Sequence, residues 1–135
     1  MGFFDSIFGG ASREPEPLSP VERRLQDRLS VLADDPATAN EPVRLFLRWT
    51  GQVQGVGFRF NNTNIAKARS LTGWVRNMAD GSVEMEVQGP ASDILDHLRA
   101  LHESYANMGA RFKLAEERTR AIVPDEASFE PRYEY

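Results

Sequence analysis

The chain has 135 residues, 41% of them hydrophobic and none of them cysteine. That suits one domain with a modest core, excludes disulfide frameworks and thiolate-rich metal sites, and fits a reducing, cytoplasmic setting. The formal net charge of −4 arises in residues 1–42, with four arginines against eight acidic residues; residues 43–135 balance twelve against twelve. Such a chain has no broad attraction for nucleic acid or anionic membranes and must bind any anion at a local site.

Residues 1–42 read as an N-terminal arm, partly disordered, with one amphipathic helix. Gly2, Phe3, Phe4, Ile7 and Phe8 form a sticky segment interrupted by Asp5 and ending at Gly9-Gly10. No basic residue precedes it, so it is not a secretory signal. Its first six residues fit the permissive N-myristoylation pattern, but a short docking helix is the preferred reading. No apolar run approaches the ~20 residues that span a bilayer. Ser12 to Pro20 carries three prolines and reads as extended linker. Ser19 at the N-cap, Pro20 at the first helical position and Glu22 at the third then form a capping-box start. Val21, Leu25, Leu29 and Leu32 recur at helical spacing, which predicts a helix from Pro20 to Ala33. Asp34 to Pro42 returns to linker composition.

From Val43 to Thr50 apolar residues alternate with polar ones, as in a half-buried strand, with Phe46 an anomaly on the polar face. Gly51-Gln-Val-Gln-Gly-Val-Gly-Phe-Arg59 follows, free of lysine and acid, with three glycines and one fixed positive charge at its end. A strand, a Gly-rich turn and a helix start point several backbone N–H groups at one anion. Arg59 adds a planar fork that suits phosphate oxygens.

Phe58 to Ser70 is predicted as a helix with Ile65, Ala66 and Ala68 available to the core, and Asn61 to Asn64 as its solvated face in preference to a polar lip beside the loop. Leu71 to Met78 is the second strand, Ala79-Asp80-Gly81 a hairpin turn, and Ser82 to Gln88 a third strand with Val83, Met85 and Val87 inward. Pro90 suits the first turn of a helix whose buried face is Ile94, Leu98, Leu101 and Tyr105, with His97 and His102 as surface or edge residues. Arg111 to Val123 is the fourth strand, anchored by Phe112 and by Leu114 or Ile122, and Phe129 to Tyr135 the fifth. Pro131 places the fifth strand at a sheet edge. The order β-α-β-β-α-β gives an α+β, ferredoxin-like arrangement, with two helices on one face of an antiparallel sheet.

Eighteen positions beyond Arg59, Gly73-Trp-Val-Arg-Asn77 leads into the Asp80-Gly81 turn. The two motifs together, in this order and at this spacing, resemble the acylphosphatase family over residues ~43–135. The resemblance implies that the loop from Gln54 through Gly55, Val56, Gly57 and Phe58 to Arg59 binds phosphate. It further implies that Arg59 and Asn77 are catalytic, with Asn77 presented to the attacking water. The family usually closes the first helix with glycine where this chain has Ser70, and has an aliphatic residue where Pro131 stands. The implied activity is hydrolysis of the carboxyl–phosphate bond of a small-molecule acyl phosphate, with inorganic phosphate as product and inhibitor. The motifs contain no His, Asp, Glu or Cys, so they indicate neither a protein general base nor a covalent nucleophile. No metal or other cofactor is expected.

A non-catalytic anion-binding or partner-docking module, with the N-terminal arm as working surface, is the alternative. RNA binding fits poorly, since the middle strands lack a basic, aromatic run. A role like that of hydrogenase-maturation carbamoyltransferases is set aside because cysteine is absent.

Overall fold

The computed structural model describes residues 18–133, so the expectations for Met1 to Pro17, including lipidation and the docking segment, lie outside the described residues. Helix α1 spans Pro20–Asp34 and β1 Pro42–Gly51. Helix α2 (Phe58–Ala68), β2 (Thr72–Asn77), β3 (Val83–Pro90) and α3 (Ala91–Tyr105) follow, then β4 (Phe112–Arg120) and β5 (Phe129–Arg132). The five strands form one sheet in the order β4-β1-β3-β2-β5. All neighbours are antiparallel except β2 and β5, which run parallel with Pro131 opposite Val75 at the sheet edge. This is the expected ferredoxin-like α+β arrangement with a third helix added.

Period-two alternation fixes which strand face is buried. Leu45, Leu47 and Trp49 of β1 lie opposite Val87, Met85 and Val83 of β3, and all six side chains are buried. They join Val75, Phe129, Ala66 and the Ile94, Leu98 and Leu101 stripe of α3 in one core. Leu25 and Leu29 of α1 belong to the same core, each contributing about 1.5–3 kcal/mol by its burial. Gly73 has φ +136°, and a Cβ there would run into the Glu86 carbonyl, so the close approach of β2 to β3 requires glycine.

Several local expectations change. The Ser19 hydroxyl does accept the Glu22 amide, at 3.1 Å, and donates to the Leu114 carbonyl at 2.7 Å. Glu22 does not complete a capping box. Its carboxylate is fully buried against His102 Nε2 at 2.7 Å and accepts from Gln26 Nε2 at 2.9 Å, tying α1 to α3. His102 is therefore a residue of the α1–α3 contact, hydrogen-bonded to Glu22, and its ring stacks on Phe112 at 4.8 Å. Pro90 is the N-cap of α3 rather than its first helical residue. Ala68 is exposed, and Ser70 takes the left-handed conformation (φ 55°) in which a glycine would be unstrained. Strand β4 ends at Arg120, so Leu114 is its second anchor and Ile122 is 41% exposed. Phe46 lies under the Arg120 guanidinium, 5.2 Å from its carbon, which explains an aromatic ring on the outer face. Arg44, also on that face, is nonetheless buried. It pairs with Glu86 and Glu126, both at 2.7 Å, and pins the β4–β5 connection to the sheet.

Candidate active site

The chain leaves β1 at Gly51 and reaches α2 through a short loop that three neighbours hold from outside. Gln54 Nε2 donates to the carbonyls of Met78 and Ser82 at 2.8 and 2.9 Å, clipping the loop to the β2–β3 hairpin that carries Asn77. The Tyr105 hydroxyl donates to the Val56 carbonyl at 3.0 Å and accepts from Asn61 Nδ2 at 2.8 Å. Phe58 is buried edge-on against Trp49 and Phe112, with ring centroids 5.6 and 5.0 Å away, which roots the first turn of α2 in the core.

Gly57 is the N-cap of α2, with φ +73°, a conformation that a side chain would strain. The first helical bond runs from the Asn61 amide to the Gly57 carbonyl at 2.8 Å. The amides of Phe58, Arg59 and Phe60 precede it and have no intrahelical partner, as at any helix start, where such amides can meet an anion.

A cleft of about 470 Å³ opens at this helix start. Gly55, Gly57, Phe58 and Arg59 line it from one side and Asn77, at the end of β2, from another. Thus five of the seven residues expected at the site converge on one cleft. Gln54 and Val56 do not line it; they brace the loop through the hydrogen bonds above.

Arg59 is half-buried. Its Nη1 donates to the Arg132 carbonyl at 3.3 Å, and its guanidinium lies 4.2 Å from the centre of the Tyr133 ring. The end of β5 thereby aims the fork. Asn77 is half-buried, and its Oδ1 is buried with no hydrogen-bond partner among the described residues. An orphaned acceptor costs about 1–3 kcal/mol unless a water or bound molecule satisfies it. The hairpin behind it is stiff: Asp80 Oδ1 accepts from both the amide and the hydroxyl of Ser82, at 2.9 and 2.6 Å. These bonds, with help from Arg48, hold the Asp80 carboxyl down at about 2.

Thr63, Asn64 and Lys67 also border the cleft, with Phe60, Pro131 and Tyr133. Thr63 and Lys67 follow Arg59 at intervals of four, so helical spacing alone could have found them; no local signal marks Tyr133. The expectation that Asn61 to Asn64 form a solvated face is overturned, because Asn62 and Thr63 are buried. His97 is likewise no surface residue. It is fully buried, with Nε2 2.9 Å from Asn62 Oδ1.

Burial, with a smaller push from Arg69, lowers the His97 ring from its ordinary 6.5 to about 3. Between those values the unfolded chain takes up a proton that the folded chain refuses. The stability His97 contributes is therefore complete above pH 6.5 and drains as pH falls toward 3. In urea unfolding from about pH 7 to about pH 4, the wild-type midpoint should fall more steeply than that of His97→Gln; parallel curves would contradict the assignment.

Among the described residues no group of three or more His, Asp or Glu could hold a metal ion, and no helix is long and apolar enough to cross a membrane.

Comparison with known proteins agrees with this geometry. The acylphosphatase family model matches residues 45–131. An acylphosphatase from Synechococcus sp. is 36% identical over 120 residues, covering 84% of this chain and the whole of that protein. One from Salinibacter ruber is 47% identical over 60 residues, which is 44% of this chain and 63%, just under two thirds, of the relative. Among solved structures, the crystal structure of acylphosphatase from Bacillus subtilis superposes with a TM-score of 0.55 at 28% identity, over 67% of this chain and 99% of that one. With the loop, Arg59 and Asn77 gathered in one cleft of a ferredoxin-like fold, the chain belongs to the acylphosphatase family.

Proposed function

We propose that the protein hydrolyses the carboxyl–phosphate anhydride bond of small acyl phosphates, releasing carboxylate and inorganic phosphate. The observation that carries this reading is the convergence, on one cleft, of the α2 helix start, the Arg59 fork and the orphaned Asn77 carboxamide. The amides and Arg59 hold the phosphoryl oxygens and offset the charge that spreads over them as the bond breaks. The Asn77 carboxamide can donate and accept at once, so it orients a water for attack. The described residues lining the cleft include no carboxylate, imidazole or thiol, and the attacking water passes its proton to an oxygen of the substrate's own phosphate. Such a substrate is already activated, and positioning plus electrostatic stabilisation supply the rate. The absence of cysteine fits a reducing, cytoplasmic setting for this chemistry.

Benzoyl phosphate is the direct probe. The protein should release phosphate from it without added metal, retain that rate in EDTA, and be inhibited competitively by inorganic phosphate. Binding of phosphate with no turnover would instead make the chain a non-catalytic anion-binding module. Loss of activity in EDTA, restored by zinc or magnesium, would overturn the metal-free mechanism.

A further inference from the structure

The phosphate cradle is built from peptide units, and each unit has two ends. The amide that faces the cleft shares its plane with the carbonyl of the preceding residue. Fixing that carbonyl therefore fixes the amide, and a hydrogen bond to the carbonyl polarises the N–H as well. Four successive units at the start of α2 are held in this way. The Val56 carbonyl accepts from Tyr105 and the Gly57 carbonyl from the Asn61 amide; the Phe58 and Arg59 carbonyls, beyond their helical bonds, accept from Asn62 Nδ2 at 2.8 Å and from the Thr63 hydroxyl at 2.9 Å.

The third of these depends on a residue from another helix. A carbonyl only accepts, so the NH2 end of Asn62 must face Phe58 and its oxygen must face His97. The oxygen in turn requires a proton on His97 Nε2. His97 thus donates from Nε2, its burial keeps the ring neutral, and its Nδ1 has no partner among the described residues. Both side chains are fully buried. A pair needed only for packing would be more stable as two apolar residues, since a buried polar pair with an orphaned nitrogen carries a desolvation cost.

We propose that Asn62 and His97 are positioning residues for acyl phosphate turnover. His97 locks the Asn62 carboxamide, Asn62 holds the Phe58 carbonyl, and the peptide plane so fixed aims the Arg59 amide into the phosphate cradle. This rests on the acyl phosphate reading above. The order of action runs from α3 through α2 to the substrate, and neither side chain touches the substrate itself.

The test compares wild type, His97→Leu, His97→Gln and Asn62→Leu with benzoyl phosphate as substrate and inorganic phosphate as inhibitor, at a temperature well below each protein's melting point. His97→Leu and Asn62→Leu should lower kcat/KM about tenfold and raise the phosphate inhibition constant several-fold. His97→Gln can place a donor where Nε2 lies and should recover most of both. Leucine variants within twofold of wild type in both constants, whatever their melting points, would overturn the proposal. A second measurement needs no variant. Titrating wild type with inorganic phosphate should shift the Asn62 side-chain NH2 and His97 Nε2–H resonances together with the Arg59 amide, and an unmoved His97 signal would contradict the coupling. An inactive wild type would count against the acyl phosphate reading, whereas an active wild type with unaffected leucine variants would count only against the positioning role.

Discussion

Arg59→Lys should lower kcat/KM for benzoyl phosphate by about 10³-fold, the lower end of what an arginine serving a transferring phosphoryl group supplies. Lysine keeps the positive charge but presents it as a point on a flexible stem. The native side chain is aimed by two contacts at the end of β5, the Arg132 carbonyl and the Tyr133 ring. Lysine could retain the ring contact, yet it has no planar pair of N–H groups to meet two oxygens at once. The fold should be unaffected, because the Arg59 guanidinium takes no part in the core. Far-UV circular dichroism and the melting point would confirm that, and retention of most of the wild-type rate would remove Arg59 from the mechanism.

Asn77→Ala should reduce kcat by two to three decades, the cost of ~3–4 kcal/mol that usually follows loss of one preorganised polar contact. The inhibition constant for inorganic phosphate should scarcely move. In the proposed mechanism Arg59 and the α2 amides grip the phosphoryl group before and during bond breaking, whereas a water oriented by Asn77 matters as its bond forms. Substitution also removes a buried oxygen with no hydrogen-bond partner among the described residues, so the variant should be at least as stable as wild type. Asn77→Asp should be as slow or slower, since a carboxylate there repels the substrate and has lost its donor. A large rise in the phosphate inhibition constant with kcat nearly intact would instead make Asn77 a binding residue.

The elements nearest the site are legible in the sequence because their signals are local. Alternation in β1 and β3, the Ser19 cap and the spacing of the two motifs each need only a few consecutive residues. What escapes is decided by tertiary contact. His97 lies three residues after Ile94 and one before Leu98, so periodicity places it on the buried stripe of α3, while its residue type suggests a surface position. Spacing prevails because Asn62, on a different helix, gives the ring a partner at Nε2. Asn62 itself follows Phe58 by one helical turn, and again position prevails over polarity. Glu22 reads locally as a capping group, although its partner is His102, eighty residues away. The bonds that brace the loop, from the Gln54 side chain to the hairpin carbonyls and from Tyr105 to the Val56 carbonyl, are likewise made with residues distant in sequence.

Hydrolysis of benzoyl phosphate in 18O-labelled water tests the central claim most directly. The proposed cleft, gripping the phosphoryl oxygens with Asn77 holding a water beside them, would direct attack at phosphorus and break the bond between phosphorus and the bridging oxygen. The label should therefore appear in inorganic phosphate and not in benzoate. Recovery of the label in benzoate would mean that water attacks the carbonyl carbon, and Arg59, the α2 amides and Asn77 could not then act as a phosphoryl cradle with its positioned water.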